Sequence, residues 1–228
     1  MKKAIMSVLT VWILVSSIFI GLISFSDIDN VQAPYIPHNP IRINNNTEFA
    51  SMAGIEGWPG DGSPGDPYII EGYDINGSGY GYCIYIGNTT VFFKVRDSYL
   101  HKATGVLKYP YFCETGIILV NVQNGTIANN NISDNRYGMY LFSSGSNTIT
   151  NNELVDNGIY IWGDMLEHWN THIIDTTNTL NGKPVHYWKN QTGGVVPLGS
   201  GQVLLGNCTN VTIENQELTS NIVGIKLG

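Results

Sequence analysis

The sequence predicts an all-β solenoid, a parallel β-helix with coils of about 20–22 residues, and three observations predict it. First, a short apolar motif returns at near-constant spacing. Gly116-Ile117-Ile118-Leu119, Gly138-Met139-Tyr140-Leu141 and Gly158-Ile159-Tyr160-Ile161 begin 22 and 20 residues apart. Second, asparagine recurs at matched phase, at Asn129, Asn151 and Asn215 and again at Asn135, Asn157 and Asn221. Third, the 228 residues include 25 Asn and 26 Gly but only 13% charged residues. Turn formers at that density are depleted from helix interiors, which argues against a helical bundle. A formal charge of -7 leaves no basic footprint for a phosphate backbone, so no nucleic-acid partner is expected.

Taken in chain order, Lys2 and Lys3 precede an uncharged apolar run from Ala4 to Phe25. Residues 1–33 therefore read as a signal peptide or a signal anchor, with Val31-Gln32-Ala33 as a small-residue cleavage pattern. On either reading the rest faces outward, so an extracellular protein is expected, secreted or tethered through that segment alone. Residues 34–45, with Pro34, Pro37 and Pro40, read as a linker. Residues 46–67 read as an N-terminal cap: a short helix near Asn46–Ala53, then a turn-rich loop from Trp58 to Pro67. Asp61 and Asp66 in that loop fit no calcium-loop spacing.

The β-helix itself is expected over 68–228. In each repeat, apolar residues alternate in a first strand. A second strand follows about eight residues later at Val95, Ile127, Ile149 and Ile213, and a third apolar position comes at Leu100, Ile132, Leu154 and Leu218. Strands this short cannot form a stable sheet alone, but stacked coils share one continuous interior. Parallel stacking sets equivalent residues about 4.8 Å apart, so Asn at each bend is expected to build an amide ladder. An antiparallel sandwich does not place Asn at matched phase. The pattern blurs at 163–200, read as an irregular loop-bearing part. The chain stops one strand into a further coil at Gly224–Gly228, which reads as truncated, with further coils or a partner expected over the last rung. Cys83 and Cys113 precede equivalent strands and are the expected disulfide; Cys208 is left over. Asn-x-Ser/Thr triplets at Asn45, Asn76, Asn88, Asn124, Asn131, Asn190, Asn207 and Asn210 are possible glycosylation acceptors.

The coils from 116 to 161, written G-I-x-L…T-I-x-N-N-x-I, resemble right-handed parallel β-helix proteins of the NosD-like, or CASH (carbohydrate-binding and sugar hydrolysis), type. Tyr68–Gly77 and Asn178–Val185 look similar too, and the likeness runs from about residue 40 to the end. The resemblance implies a right-handed coil and a first-strand sheet that holds polysaccharide. It leaves activity open, because this repeat hosts lyases, hydrolases, epimerases, adhesins and inert modules.

The residues facing out of that sheet carry the expected chemistry. Tyr140 and Phe142 on one rung and Tyr160 and Trp162 on the next should form a two-by-two aromatic patch, onto which sugar C–H faces can stack. The same rings would serve equally to pack under the 163–200 loop. Asp164, Glu167 and His168 follow and are the catalytic candidates of a polysaccharide lyase or glycoside hydrolase, the latter needing two carboxylates across one bond. Arg136 and Lys183 are the cations available as a lyase base, and no Asp pair on adjacent strands is visible. Copper delivery, implied by the NosD-like resemblance, would draw on His168, His172, Met165, His186 and Cys208, which form no compact cluster. No metal site or cofactor is expected. The leading expectation is a surface module binding polysaccharide, with an enzyme and a passive structural or adhesion protein as alternatives.

Overall fold

Short strands with one apolar face close into three parallel stacks. A computed structural model describes residues 35–105, 114–219 and 223–228. The leader expected at 1–33, Cys113 and Asn221 lie outside the described residues. The chain enters with β1 (Ile36–His38), β2 (Ile41–Ile43) and helix α1 (Asn46–Glu56). Three strands per coil follow: β3 (Tyr68–Glu71), β4 (Tyr73–Asn76) and β5 (Tyr82–Thr89), then β6 (Phe93–Arg96), β7 (Tyr99–His101) and β8 (Thr115–Val122). The next two coils bring β9 (Gly125–Ala128), β10 (Asn131–Ser133) and β11 (Tyr137–Phe142), then β12 (Thr148–Thr150), β13 (Glu153–Val155) and β14 (Ile159–Trp162). After the one-turn helix α2 (Glu167–Asn170) come β15 (Ile173–Ile174), β16 (Thr179–Leu180), β17 (Lys183–Lys189), β18 (Gln202–Gly206) and β19 (Ile225–Leu227).

Among the described residues, sheet A runs β1-β4-β7-β10-β13-β16-β17-β18-β19, sheet B runs β14-β11-β8-β5-β2, and sheet C runs β15-β12-β9-β6-β3. Every named pairing is parallel except β16 with β17. The inward residues stack in register: Ile75, Leu100, Ile132 and Leu154 from sheet A, Ile84, Ile117, Met139 and Ile159 from B, and Ile70, Val95, Ile127 and Ile149 from C. All are buried in one core. The architecture is the all-β parallel β-helix that the repeat predicted.

Three boundaries differ from expectation. The segment read as a linker already carries β1 and β2, paired with β4 and β5. Its prolines misled because β1 is the edge of sheet A, where a missing N–H is tolerated. The segment read as irregular holds β15 and β16, which extend sheets C and A before the chain reverses at Asn181-Gly182, both at positive φ. Helix α1 runs on to Glu56. Asn45 caps it by accepting from Glu48 N–H at 2.8 Å, and Gly57 ends it at φ 71°. It puts Phe49 against Tyr68 and Phe93, at 4.9 and 5.3 Å between ring centroids, as the apolar floor of the first coils.

Polar ladders close the corners between sheets. After sheet C the chain takes two steps. Asp97, Asn129 and Asn151 sit outward at left-handed φ between 50° and 56°, and the next residue turns inside. The buried ladder is therefore Asn130, Asn152 and Asn178, one residue on from the expected one. Their Oδ1 atoms accept from the backbone N–H of Ser98, Asn130 and Asn152 on the neighbouring rung, at 3.1–3.2 Å. Their Nδ2 groups donate to the Val95, Ile127 and Ile149 carbonyls. Asn129 still reaches Asp97 at 3.1 Å on the outside, whereas Asn215, at φ 51°, is exposed. Asn135 and Asn157 are buried beyond sheet A, donating to the Leu100 and Ile132 carbonyls. A third ladder, between B and C, uses Asn147 and His172.

Candidate aromatic site on sheet B

The outward residues of sheet B lie rung over rung. Ile118, Tyr140 and Tyr160 are register partners, as are Val120, Phe142 and Trp162. Tyr140 and Tyr160 lie 5.3 Å apart between ring centroids, and Tyr137 lies 5.2 Å from Tyr160. Burial changes along the row. Tyr82, Tyr85, Ile118 and Val120 form a buried apolar cluster outside the coil, with Tyr140 and Phe142 packed against it. Tyr160 is half-buried and Trp162 is 45% exposed. The four aromatic residues are thus one continuous strip, open to solvent at the Trp162 end.

Lys226 on β19 completes that end. Its Nζ lies 4.4 Å from the Tyr160 ring centre, 4.9 Å from Trp162 and 5.3 Å from Trp169, and donates to Tyr160 Oη at 3.3 Å. No carboxylate pairs with it among the described residues. The ring faces themselves carry the negative potential that holds the ammonium. Lys226→Met is expected to lower stability by about 1 kcal/mol and to change tryptophan emission. A urea titration followed by fluorescence measures both, and an unchanged midpoint and spectrum would refute the contact.

Beyond Trp162 the chain turns at Gly163, where any Cβ would collide with the His168 ring. That close approach seats His168, 7% exposed, with Nδ1 accepting from Met165 N–H at 3.3 Å. His168, Glu167, Asn121, Ser143 and Ser146 line a cavity of about 150 Å³. Among the described residues Glu167 is the only carboxylate on its wall, while Asp164, also exposed, is not part of the lining. The structure therefore brings two of the three catalytic candidates together, but no carboxylate pair. His172 is not at this surface. It faces the coil interior, where burial holds its imidazole pKa down to about 4. Met165 is half-exposed, so the residues considered for copper do not converge. Among the described residues no group of three or more His, Cys, Asp or Glu is placed to hold a metal ion, the Asp61–Asp66 loop included.

Cys83 is a buried free thiol, its Sγ 3.3 Å from the Ile75 carbonyl, and burial pushes its pKa up to about 12. Its expected disulfide partner Cys113 lies outside the described residues. Of the acceptor triplets, Asn124, Asn190, Asn207 and Asn210 occupy bends at left-handed φ, Asn88 has left-handed φ near the end of β5, Asn45 caps α1, Asn76 closes a turn with Ser78, and Asn131 lies within β10.

Sequence reasoning found the aromatic strip from the repeat but missed Lys226, whose approach to Tyr160 spans 66 residues of chain. It also missed the cavity, for which Gly163 directly after Trp162 was the one available signal. A family model described as a right handed beta helix region matches residues 28–228. No curated protein and no solved structure matches the chain.

Proposed function

From the premise that this chain belongs to the right-handed β-helix family, we propose that it is an extracellular module that binds polysaccharide along the open end of the sheet-B strip, and that within the family it is of the NosD-like, CASH type. The observation that carries the reading is Trp162. A large aromatic ring 45% exposed, continuous with three further rings in register, offers a flat apolar face of the kind sugar rings stack on. Lys226 and the amides around the neighbouring cavity supply hydrogen-bond donors beside it. The outward-facing location rests on the charge and apolar pattern of the first 33 residues.

Glycan-array screening followed by titration of the best oligosaccharide tests this. Trp162→Ala is expected to weaken binding about 30-fold, the roughly 2 kcal/mol of an anchoring aromatic residue. A wild-type protein that retains no glycan would remove the proposal.

Catalysis at Glu167 and His168 is the second reading, favoured by the wall they share. It expects release of reducing sugar or unsaturated product, abolished by Glu167→Gln. Unchanged substrates across a broad polysaccharide panel would count against it.

A further inference from the structure

A second cavity lies away from the aromatic strip. About 340 Å³ in volume, it lies at the opposite end of the coil, on sheet A, lined by Pro37, His38, Asn39, Asp74, Asn76 and His101. These residues come from β1 and the turn after it, from β4 and from β7, so three successive rungs build one cleft. We propose that this cleft is a separate binding site for a neutral, hydroxyl-rich small molecule, the size of one or two sugar rings, that presents a vicinal diol.

The hydrogen-bond inventory carries the assignment. Asp74 Oδ1 is held by His101 Nε2 at 2.9 Å, which orients the carboxylate and leaves Oδ2 without a partner among the described residues. Asn76 Oδ1 is taken by Ser78 N–H and Oγ–H, so the Asn76 Nδ2 donors remain. An acceptor and a donor thus stand on adjacent positions of one wall, two residues apart on β4 and on the same outward side of the strand. One hydroxyl of a diol can donate to Asp74 Oδ2 while its neighbour accepts from Asn76 Nδ2. Pro37 adds an apolar ring to the lining.

Charge excludes the other ligand classes. The half-exposed Asp74 carboxylate repels anions. The nearby Glu56 carboxylate is matched by His38, whose Nε2 lies 3.3 Å from it while Nδ1 lies 2.6 Å from the Asn39 carbonyl. One carboxylate already engaged by a histidine does not make a cation site, in keeping with the absence of any metal-holding cluster among the described residues.

His101 gives an independent argument. It is 9% exposed, and its Nδ1 is buried with no hydrogen-bond partner, an unfavourable arrangement for any imidazole. The stack does not require one there: the register partner on β10 is Ser133, and Val155 follows on β13. Holding Asp74 in place is the role that accounts for it.

The test is a two-dimensional NMR titration of the full described chain with the methyl glycosides of mannose, galactose and glucose. Asn76 heads a glycosylation triplet, so the protein is made in a host that does not glycosylate. Saturable shifts are expected at the Asn39, Asp74 and Asn76 amides. They should weaken about tenfold in Asp74→Asn, which keeps the shape and loses the charge, and persist in Trp162→Ala. Asn76→Asp, which keeps the turn to Ser78 but removes the donor, should weaken them as well and serves if Asp74→Asn does not fold. No saturable shift at these amides with any of the three glycosides overturns the site, as do shifts that neither variant alters. Shifts confined to the Trp162 indole overturn this site alone and leave the sheet-B reading standing; shifts confined to the cleft do the reverse.

Discussion

Replacing Asn152 by Ala is expected to remove a large share of the folding stability, whereas the same change at its neighbour Asn151 should cost much less. Asn152 is 1% exposed and wired to three rungs. Its Oδ1 accepts from the Asn130 backbone and side chain at 3.1 and 3.0 Å; its Nδ2 donates to the Ile127 and Thr150 carbonyls and to Asn178 Oδ1, each at 2.9 Å. Alanine strands the Asn130 N–H in a dry interior and takes one donor each from the Ile127 carbonyl, the Thr150 carbonyl and Asn178 Oδ1. At about 1–3 kcal/mol for each stranded group, plus the void, the loss reaches roughly 4 kcal/mol or more. That is a large share of the ~5–15 kcal/mol a domain possesses. Asn152→Asp is no milder, because its second oxygen would face two carbonyls and the Asn178 amide oxygen, all acceptors. Asn151 by contrast is exposed at φ 53°. Alanine there adds only the left-handed backbone penalty, about 1–2 kcal/mol, and Asn151→Gly removes even that. Urea unfolding followed by circular dichroism ranks the four variants. A midpoint for Asn152→Ala equal to that of Asn151→Ala would mean that the inner amide column does not hold the coils together.

That one-residue difference marks how far the sequence could be read. Apolar alternation with glycine in phase located β5, β8, β11 and β14 and put Tyr140 over Tyr160 and Phe142 over Trp162. Those positions obey a two-residue period that survives in any single coil. The corner does not. Asn129-Asn130 and Asn151-Asn152 are pairs of the same residue, and only backbone geometry says which member turns inward. Strands β1, β15 and β16 are two or three residues long, too short to show a period, and stand out only once a neighbouring rung pairs with them. The site divides the same way. Its rings lie at equivalent positions of two successive repeats and were legible, whereas Lys226 reaches them from a distant strand and the Asp74–His101 pair spans 27 residues. Contacts made by closing a coil leave no local trace.

His172 makes the pH dependence of stability a second large effect. It occupies the place in the third ladder that Asn147 holds one rung below. Asn147 Oδ1 accepts from Gly125 N–H at 2.8 Å, and His172 Nδ1 accepts from Asn147 N–H at 3.3 Å. The ring is fully buried, its Nε2 unpartnered. Burial is the main cause that holds its pKa down to about 4, and the nearby Lys189 ammonium adds to it. The unfolded chain takes up a proton near the ordinary imidazole value of 6.5 while the folded one does not until about 4. Stability from this group is therefore complete above pH 6.5 and drains as pH falls through that window, by about 3 kcal/mol in all. The remaining ionisable groups are common to both proteins, so the informative quantity is the difference between wild type and His172→Asn. Asparagine puts Oδ1 where Nδ1 accepts and turns Nδ2 toward the Ser144 carbonyl, as Asn147 Nδ2 already donates to the Val122 carbonyl at 3.0 Å. The variant is expected to match or exceed the wild type at pH 5 and to lose the slope between pH 6.5 and 5. Parallel stability profiles for the two proteins would place His172 outside the dry interior and undo its role as a ladder rung.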